Sequence, residues 1–236
     1  MNIVDIIIII LILSFGIVGF KTGFIKQTVF LICTIASFII AYYLKDYVAN
    51  FLSYTLPFFK FGGEIEGLTS LNILMYQVIG FCVVFSIVSI VANLLIKVAG
   101  LFENILKATI ILSIPSKILG FFVGLIEGYV IIFIALFILS QPFVNLKVIN
   151  NSKLTNKIVN SSPVLSKVVE KTNNAVKDVY HLVKDYTKDN DKDKFNRDSI
   201  DIMLDKKIIK VEYVEKLIDK DKLEVKGIDE VLDKYK

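Results

Sequence analysis

Four polar side chains capable of acid–base or hydrogen-bond chemistry lie within otherwise apolar segments: Asp5, Gln77, Asn93 and Glu127. Glu127 is the most unusual, because the stretch GFFVGLIEGY (120–129) surrounds it with glycines and large apolar residues. Polar groups in such surroundings mark either proton and ion pathways or hydrogen bonds between helices. For Glu127 we expect a neutral carboxyl that bonds across a helix interface, with Asn93 or Gln77 as candidate partners.

Groups suited to covalent or metal chemistry are scarce. Cys33 and Cys82 lie in apolar segments, where a thiol usually packs as a small apolar group. His181 has no second histidine to complete a metal site. The sequence contains no P-loop, HExxH or GxSxG motif. We therefore expect no enzyme activity, no cofactor and no bound metal; an enzyme acting on lipid or peptide has no nucleophile and base to support it.

The composition indicates which solvent surrounds these residues. Of 236 residues, 55% are hydrophobic, and the mean hydropathy is +0.66, whereas soluble domains contain about 45–50% apolar residues. Residues 1–140 hold seven lysines and six acids, against 20 basic and 17 acidic residues in 141–236. The first part therefore belongs in lipid and the second in water. The near balance of charges in the second part argues against nucleic-acid binding.

Apolar segments long enough to cross a bilayer, about 20 residues each, occupy residues 3–20, 27–44, 72–96 and 118–140. A fifth segment, 98–114, contains Glu103 and Lys107 and suits an interfacial or re-entrant helix. The predicted fold is an all-α, multi-pass membrane protein with four transmembrane helices, this fifth helix and a helical soluble tail. The membrane domain is predicted to cover residues 1–143.

The lysines predict how the chain is oriented in the membrane. Lys21 and Lys26 lie between the first two spans, and Lys117 precedes the fourth. Because lysines accumulate in cytoplasmic loops, both links are predicted to be cytoplasmic. Four spans then leave the tail outside the cytoplasm. If the segment 98–114 also spans the membrane, the side of the tail reverses.

The tail divides into three predicted parts. Residues 144–187 form an amphipathic helical segment, because apolar residues recur there at spacings of three and four. Residues 188–198, KDNDKDKFNRD, form a charged, solvated linker. Residues 199–236 return to helical spacing. The apolar faces of such helices must dock on each other, on a partner or on the membrane.

Glycines recur at a spacing of four in two of the spans. They are Gly120, Gly124 and Gly128 in the fourth span and Gly19 and Gly23 at the end of the first. Small residues at this spacing let another helix backbone approach closely within a membrane. The stretches VGFKTGFI (18–25) and VGLIEGYV (123–130) share the pattern V-G-x-x-x-G. These glycines are the predicted helix-packing residues.

Two stretches resemble the colicin V production protein family of bacterial inner-membrane proteins. They are VDIIIIILILSFGIVGFKTGFIKQ (4–27) and IPSKILGFFVGLIEGYVII (114–132). The resemblance implies a cell-membrane protein that supports toxin (bacteriocin) production or export and envelope homeostasis, without a known reaction. It implies that Asp5, Lys21 and the packing glycines correspond to the family pattern. The position of Glu127 often carries a basic residue in that family, so a role for this charge does not transfer.

These observations favour a non-enzymatic membrane protein that acts by helix–helix assembly and partner binding. Its expected partners are the lipid bilayer and either further copies of itself, as a homo-oligomer, or another envelope protein. The alternative is a small oligomeric transporter or channel that uses Glu127, because intramembrane polar groups often line pathways.

Overall fold

A computed structural model describes the backbone of residues 2–108, 110–144, 147–189 and 191–236, and the side chains of these residues except 102–108, 110–113, 147 and 187–189. The regular elements within these ranges are all helices. They are α1 (Ile3–Thr22), α2 (Phe24–Thr55), a 3-10 turn (Gly63–Ile65), α3 (Leu71–Ala108), α4 (Ile110–Leu139), α5 (Lys147–Asn150), α6 (Lys153–Ser161), α7 (Leu165–Asp189), α8 (Lys192–Asp205), α9 (Val211–Asp219) and α10 (Ile228–Leu232).

Four helical segments of the described chain are long and apolar enough to cross a membrane: Ile3–Thr22, Phe24–Thr55, Leu71–Leu101 and Ile114–Leu139. They expose large apolar side chains, among them Ile10, Ile90 and Ile118, as helices in contact with lipid do. The prediction of an all-α, multi-pass membrane protein is confirmed. Two of the predicted spans, 27–44 and 72–96, are only parts of longer helices with 32 and 38 residues, which continue 11 and 12 residues beyond the predicted ends.

The segment 98–114, predicted to be a separate interfacial helix, forms no element of its own. Residues up to Ala108 continue α3, and α4 begins at Ile110, with Pro115 inside it. The side chains of Glu103 and Lys107 lie outside the described residues. The depth of this segment in the membrane therefore stays a prediction.

The chain divides into two compact units. Unit 1 consists of Met1–Tyr43, Cys82–Leu139 and Leu146–Val168, and unit 2 of Leu44–Phe81, Ser140–Asn145 and Val169–Lys236. The helices α2 and α3 each contribute one part to unit 1 and the other to unit 2. The predicted division into a membrane domain, residues 1–143, and three tail segments stays a prediction.

Unit 2 has one apolar core, built from that loop and from the tail. Leu68 and Leu71 are fully buried there, together with Ile200 and Met203 from α8 and Leu217 from α9. The amphipathic tail helices thus dock on residues 65–74 of the same chain. Sequence periodicity revealed the apolar faces but not the surface that covers them.

The predicted charged linker, 188–198, is helical from Lys192 onward. Asp191 begins α8, because its carboxylate accepts a hydrogen bond of 2.9 Å from the Lys194 N–H, as helix N-caps do. Phe195 is buried, and the Asn196 side chain accepts from the Ser70 N–H (2.9 Å) and donates to the Gly67 carbonyl. The Asp191 cap and the buried Phe195 stabilise α8 in spite of the charged composition of this segment.

The end of α2 is held by residues that follow α9 or belong to it. The Lys222 ammonium donates to the carbonyls of Ser53 (2.9 Å) and Leu56 (2.6 Å), and the Tyr213 hydroxyl donates to Ser53 Oγ (2.9 Å). Burial raises the pKa of the Tyr213 phenol, so it stays protonated and able to donate. Unit 2 therefore supplies both a cation and a hydroxyl to the carboxyl end of a helix, where positive charge is favourable.

Replacing Lys222 with methionine should destabilise unit 2 by about 0.3–1 kcal/mol, the usual contribution of a cation at a helix carboxyl end. The measurement is the free energy of unfolding in a neutral detergent. Lys220→Met is the control, because Lys220 is an exposed lysine two residues away. Equal losses for the two variants would show that the carbonyl contacts contribute nothing.

Candidate functional site

The helices α1 and α4 pack against each other in antiparallel directions along their glycines. Gly19 lies against Gly120 and Gly124, and Phe15 lies against Gly124 and Gly128. A Cβ atom at Gly19 would lie 2.9 Å from the Gly124 Cα and would collide with the Gly120 carbonyl oxygen. Only glycine at these positions allows the two backbones to come so close. We call this contact the glycine seam.

Gly23 combines a tight turn with a place in the seam. Its φ of 95° is a conformation that side chains disfavour, and α2 begins at the next residue. The Phe24 N–H, the first of α2, donates to the Ser116 hydroxyl over 3.0 Å. The turn thereby sends α2 back alongside α4, in the same direction. The sequence did not predict a role for Ser116.

Glu127 hydrogen bonds with Gln27, and both side chains are 3% exposed. The Gln27 amide donates to a carboxyl oxygen of Glu127, so the bond joins α2 to α4. This corrects the expected partners, Asn93 and Gln77. Because α2 starts directly after Gly23, Gln27 is already in its first turn, whereas the sequence had placed it at the edge of a span.

The two rejected partners have other surroundings. Gln77 is buried in unit 2, where its side-chain oxygen accepts a hydrogen bond from the Lys45 ammonium. Lys45 also pairs with Asp46 at 2.9 Å. Asn93 is exposed on α3 among apolar side chains. The predicted set of intramembrane polar residues is therefore not brought together at one place.

Asp5 joins the start of α1 to the start of α6. Its carboxylate, buried to 2% exposure, accepts from the Ser152 hydroxyl (2.5 Å), the Leu154 N–H (3.2 Å) and the Asn2 N–H (2.9 Å). It thus accepts hydrogen bonds at the N-termini of two helices, α1 and α6, where a negative charge is favourable. The sequence explained only the first of these. The start of α1 and the segment after α4 consequently lie at the same end of unit 1.

The predicted topology lysines occupy the other end of unit 1. Lys21 lies in the last turn of α1, Lys26 lies in the first turn of α2, and Lys117 follows Ser116 in α4, so all three lie near the Gly23 turn. Cys33 is buried and Cys82 half-buried, and both are free thiols. Within the described residues, no three His, Cys, Asp or Glu side chains are placed to hold a metal ion. The polar side chains described above in unit 1 form hydrogen bonds that join its helices.

A glycine seam between two apolar helices, two further spans and buried polar contacts between spans define a multi-pass α-helical membrane protein. The chain belongs to the colicin V production protein family, which its sequence matches over residues 4–163. A relative from Bacillus subtilis (strain 168), described as the uncharacterized transmembrane protein YshB, is 31% identical over 140 residues. The match covers 58% of this chain and 76% of the relative. No solved structure matches this chain significantly.

Proposed function

We propose that this protein is a non-enzymatic assembly protein of the bacterial inner membrane that supports production or export of a peptide toxin and the integrity of the cell envelope. The supporting observation is the use of its intramembrane polar groups. Glu127 bonds to Gln27 and Asp5 to Ser152, so both carboxyls join helices of one chain. The family description supports the link with toxin production.

The chain acts as a homo-oligomer in this proposal, and α3 provides the contact. The glycine faces of α1 and α4 cover each other, so a second copy must bind elsewhere. Asn93 is exposed on α3 between Ile90 (67% exposed) and Leu94 (64%). A carboxamide both donates and accepts, so the Asn93 side chains of two copies related by a two-fold axis can satisfy each other. In lipid, polar side chains associate helices in this way.

Asn93→Leu should weaken self-association by about 1 kcal/mol, the usual contribution of one hydrogen bond between membrane helices. The measurement is energy transfer between donor- and acceptor-labelled chains, titrated against lipid in vesicles. Ser14→Leu is the control, because Ser14 is a polar residue on the exposed face of α1 whose hydroxyl already bonds to the Leu11 carbonyl. Unchanged transfer in the Asn93 variant would remove α3 from the proposed interface.

Unit 2 is proposed to lie outside the cytoplasm and to engage another envelope protein. Its position can be tested by fusing a reporter that is active on only one side of the membrane after Lys236, and cytoplasmic activity would contradict it. Deleting the tail would be a poor test, because Leu68 and Leu71 would lose their core. Partners should instead be captured from native membranes with the full chain.

The function itself is tested by deleting the gene in its bacterial host. Toxin released into the medium should fall and should return when the wild-type chain is supplied. A chain with a disrupted glycine seam should fail to restore it. Unchanged release in the deletion strain would contradict a role in toxin production, and membrane-integrity assays in the same strain test the role in the envelope.

A small transporter or channel is the second candidate, because a carboxyl group lies within an apolar span. Glu127 is the residue that such a pathway would use. Its enclosure against Gln27 favours the assembly role, and the flux measurement described in the Discussion separates the two.

A further inference from the structure

The part of α2 that belongs to unit 2 exposes large apolar side chains in a row along one side of the helix. Leu44, Tyr47 and Phe51 are 45%, 78% and 66% exposed. Spacings of three and four residues place them on one face of the helix. Ile40, four residues before Leu44, is also exposed, so the row continues a face that the same helix presents along its apolar span. We call Leu44, Tyr47 and Phe51 the α2 stripe.

The lysine beside this stripe in the sequence is turned inward. Lys45 is 7% exposed, and its ammonium donates to the side-chain oxygen of Gln77 and pairs with Asp46 at 2.9 Å. The Asp46 side chain remains about half exposed. A surface that meets water usually has the reverse arrangement, with lysines outside and aromatic rings at least partly covered. Charged side chains that face the protein interior and pair there are typical of helices in a membrane.

The length of α2 gives the stripe a depth in the bilayer. The helix has 32 residues and is therefore about 48 Å long, at about 1.5 Å per residue. The hydrocarbon core is about 30 Å thick, and the bilayer with its headgroup layers about 40–45 Å. The helix begins at the turn near Lys21 and Lys26, and lysines mark the edge of a span. Tyr47 and Phe51 lie about 35 and 40 Å along the axis from Phe24, which is the depth of the opposite headgroup layer.

We propose that the α2 stripe lies in the headgroup layer of the bilayer and holds unit 2 at the membrane surface. Tyrosine suits this depth, because its ring is apolar and its hydroxyl can bond to water or to lipid headgroups. The continuity of the stripe with the exposed face at Ile40 favours lipid over a soluble partner or a second copy of the chain. This contact goes beyond the assembly role, and it is independent of the side of the membrane on which unit 2 lies. Any partner of unit 2 must then approach it at the lipid surface.

The test uses the absence of tryptophan from the sequence, because a single Tyr47→Trp substitution then gives the full chain one fluorescent reporter. The variant is reconstituted in phosphatidylcholine vesicles whose lipids carry a spin-label quencher at the headgroup or deep in the acyl chain. Acrylamide on both sides of the membrane reports contact with water. Phe51→Trp is a second variant, and Ile10→Trp, at an exposed position of α1, calibrates the hydrocarbon core. Tyr235→Trp is the matched control, because the Tyr235 hydroxyl bonds to the carboxylate of Asp201, which also pairs with a lysine.

The reporters at positions 47 and 51 should be quenched more by the headgroup label than by the acyl-chain label, at a depth of about 15–22 Å from the bilayer centre. The reporter at position 10 should show the opposite order, and the reporter at position 235 should respond to acrylamide but not to either lipid label. Raising the lipid-to-protein ratio should leave the quenching unchanged, because lipid already covers the stripe.

Three results would overturn the proposal. Lack of lipid quenching at either stripe position would show that lipid does not cover it and would leave that position to water or to a soluble partner. Lipid quenching that increases as the chain is diluted in lipid would show that a second copy covers the stripe. Equal lipid quenching at positions 47 and 235 would show that the stripe has no special place at the membrane surface.

Discussion

Gly124→Ile should prevent stable packing of the membrane helices, with a loss of at least about 3 kcal/mol in the free energy of unfolding. A Cβ atom at Gly124 would lie 3.1 Å from the Gly19 Cα and from the Phe15 carbonyl carbon, and still closer to the Phe15 carbonyl oxygen. Overpacking usually costs about 1–3 kcal/mol when side chains can adjust. Here the obstacle is backbone of α1, so the whole helix must move away.

The control for this prediction is Gly100→Ile in α3. Both positions are helical, so the change in helix propensity is the same. The three described atoms nearest to a Cβ at Gly100 belong to the Lys26 side chain, at 3.5 Å or more, and that flexible chain can move aside. The two variants therefore differ mainly in the backbone contact.

Unfolding is followed by titrating a denaturing detergent into neutral micelles and recording helix content and protease resistance. The Gly124 variant should unfold at much lower detergent fractions than the Gly100 variant. In cells it should also accumulate less, because unpacked membrane helices are cleared by proteases. Similar unfolding of the two variants would mean that the glycine seam does not hold α1 to α4.

The sequence predicted those parts of the structure that depend on local pattern. Long apolar runs predicted the four spans, because lipid requires about 20 residues of apolar helix. The spacing of Gly120 and Gly124 predicted a face for close packing, and the structure places Gly19 against it. In each case the residues that carry the signal are close together in the chain.

Features that depend on which surfaces meet could not be predicted in this way. Periodicity shows that a tail helix has an apolar face, but the surface that covers it, around Leu68 and Leu71, is more than 100 residues away. The same holds for Glu127, because its burial was evident from its neighbours, whereas its partner Gln27 depends on the turn at Gly23. The Asp191 cap was hidden by the charged residues around it.

Glu127→Leu should destabilise unit 1 by about 2 kcal/mol, because it leaves the buried Gln27 amide without its hydrogen-bond acceptor. Glu127→Gln should cost less than about 1 kcal/mol, since the side-chain oxygen of glutamine can accept the same bond. Gln27→Leu should resemble Glu127→Leu, because it strands the other partner. The free energies come from the same detergent titration.

The double variant Gln27→Leu, Glu127→Leu is the decisive member of this set. If the carboxyl only joins α2 to α4, removing both partners should recover most of the loss, because no buried polar group is left unpaired. Additive losses would show that the two side chains do not act on each other. A proton or solute pathway that uses Glu127 would require the carboxyl group itself, since glutamine at position 127 cannot exchange a proton. Flux through vesicles that contain the wild-type chain, lost in Glu127→Gln while its stability is kept, would favour the transporter; absence of flux in both leaves Glu127 as a bond between helices.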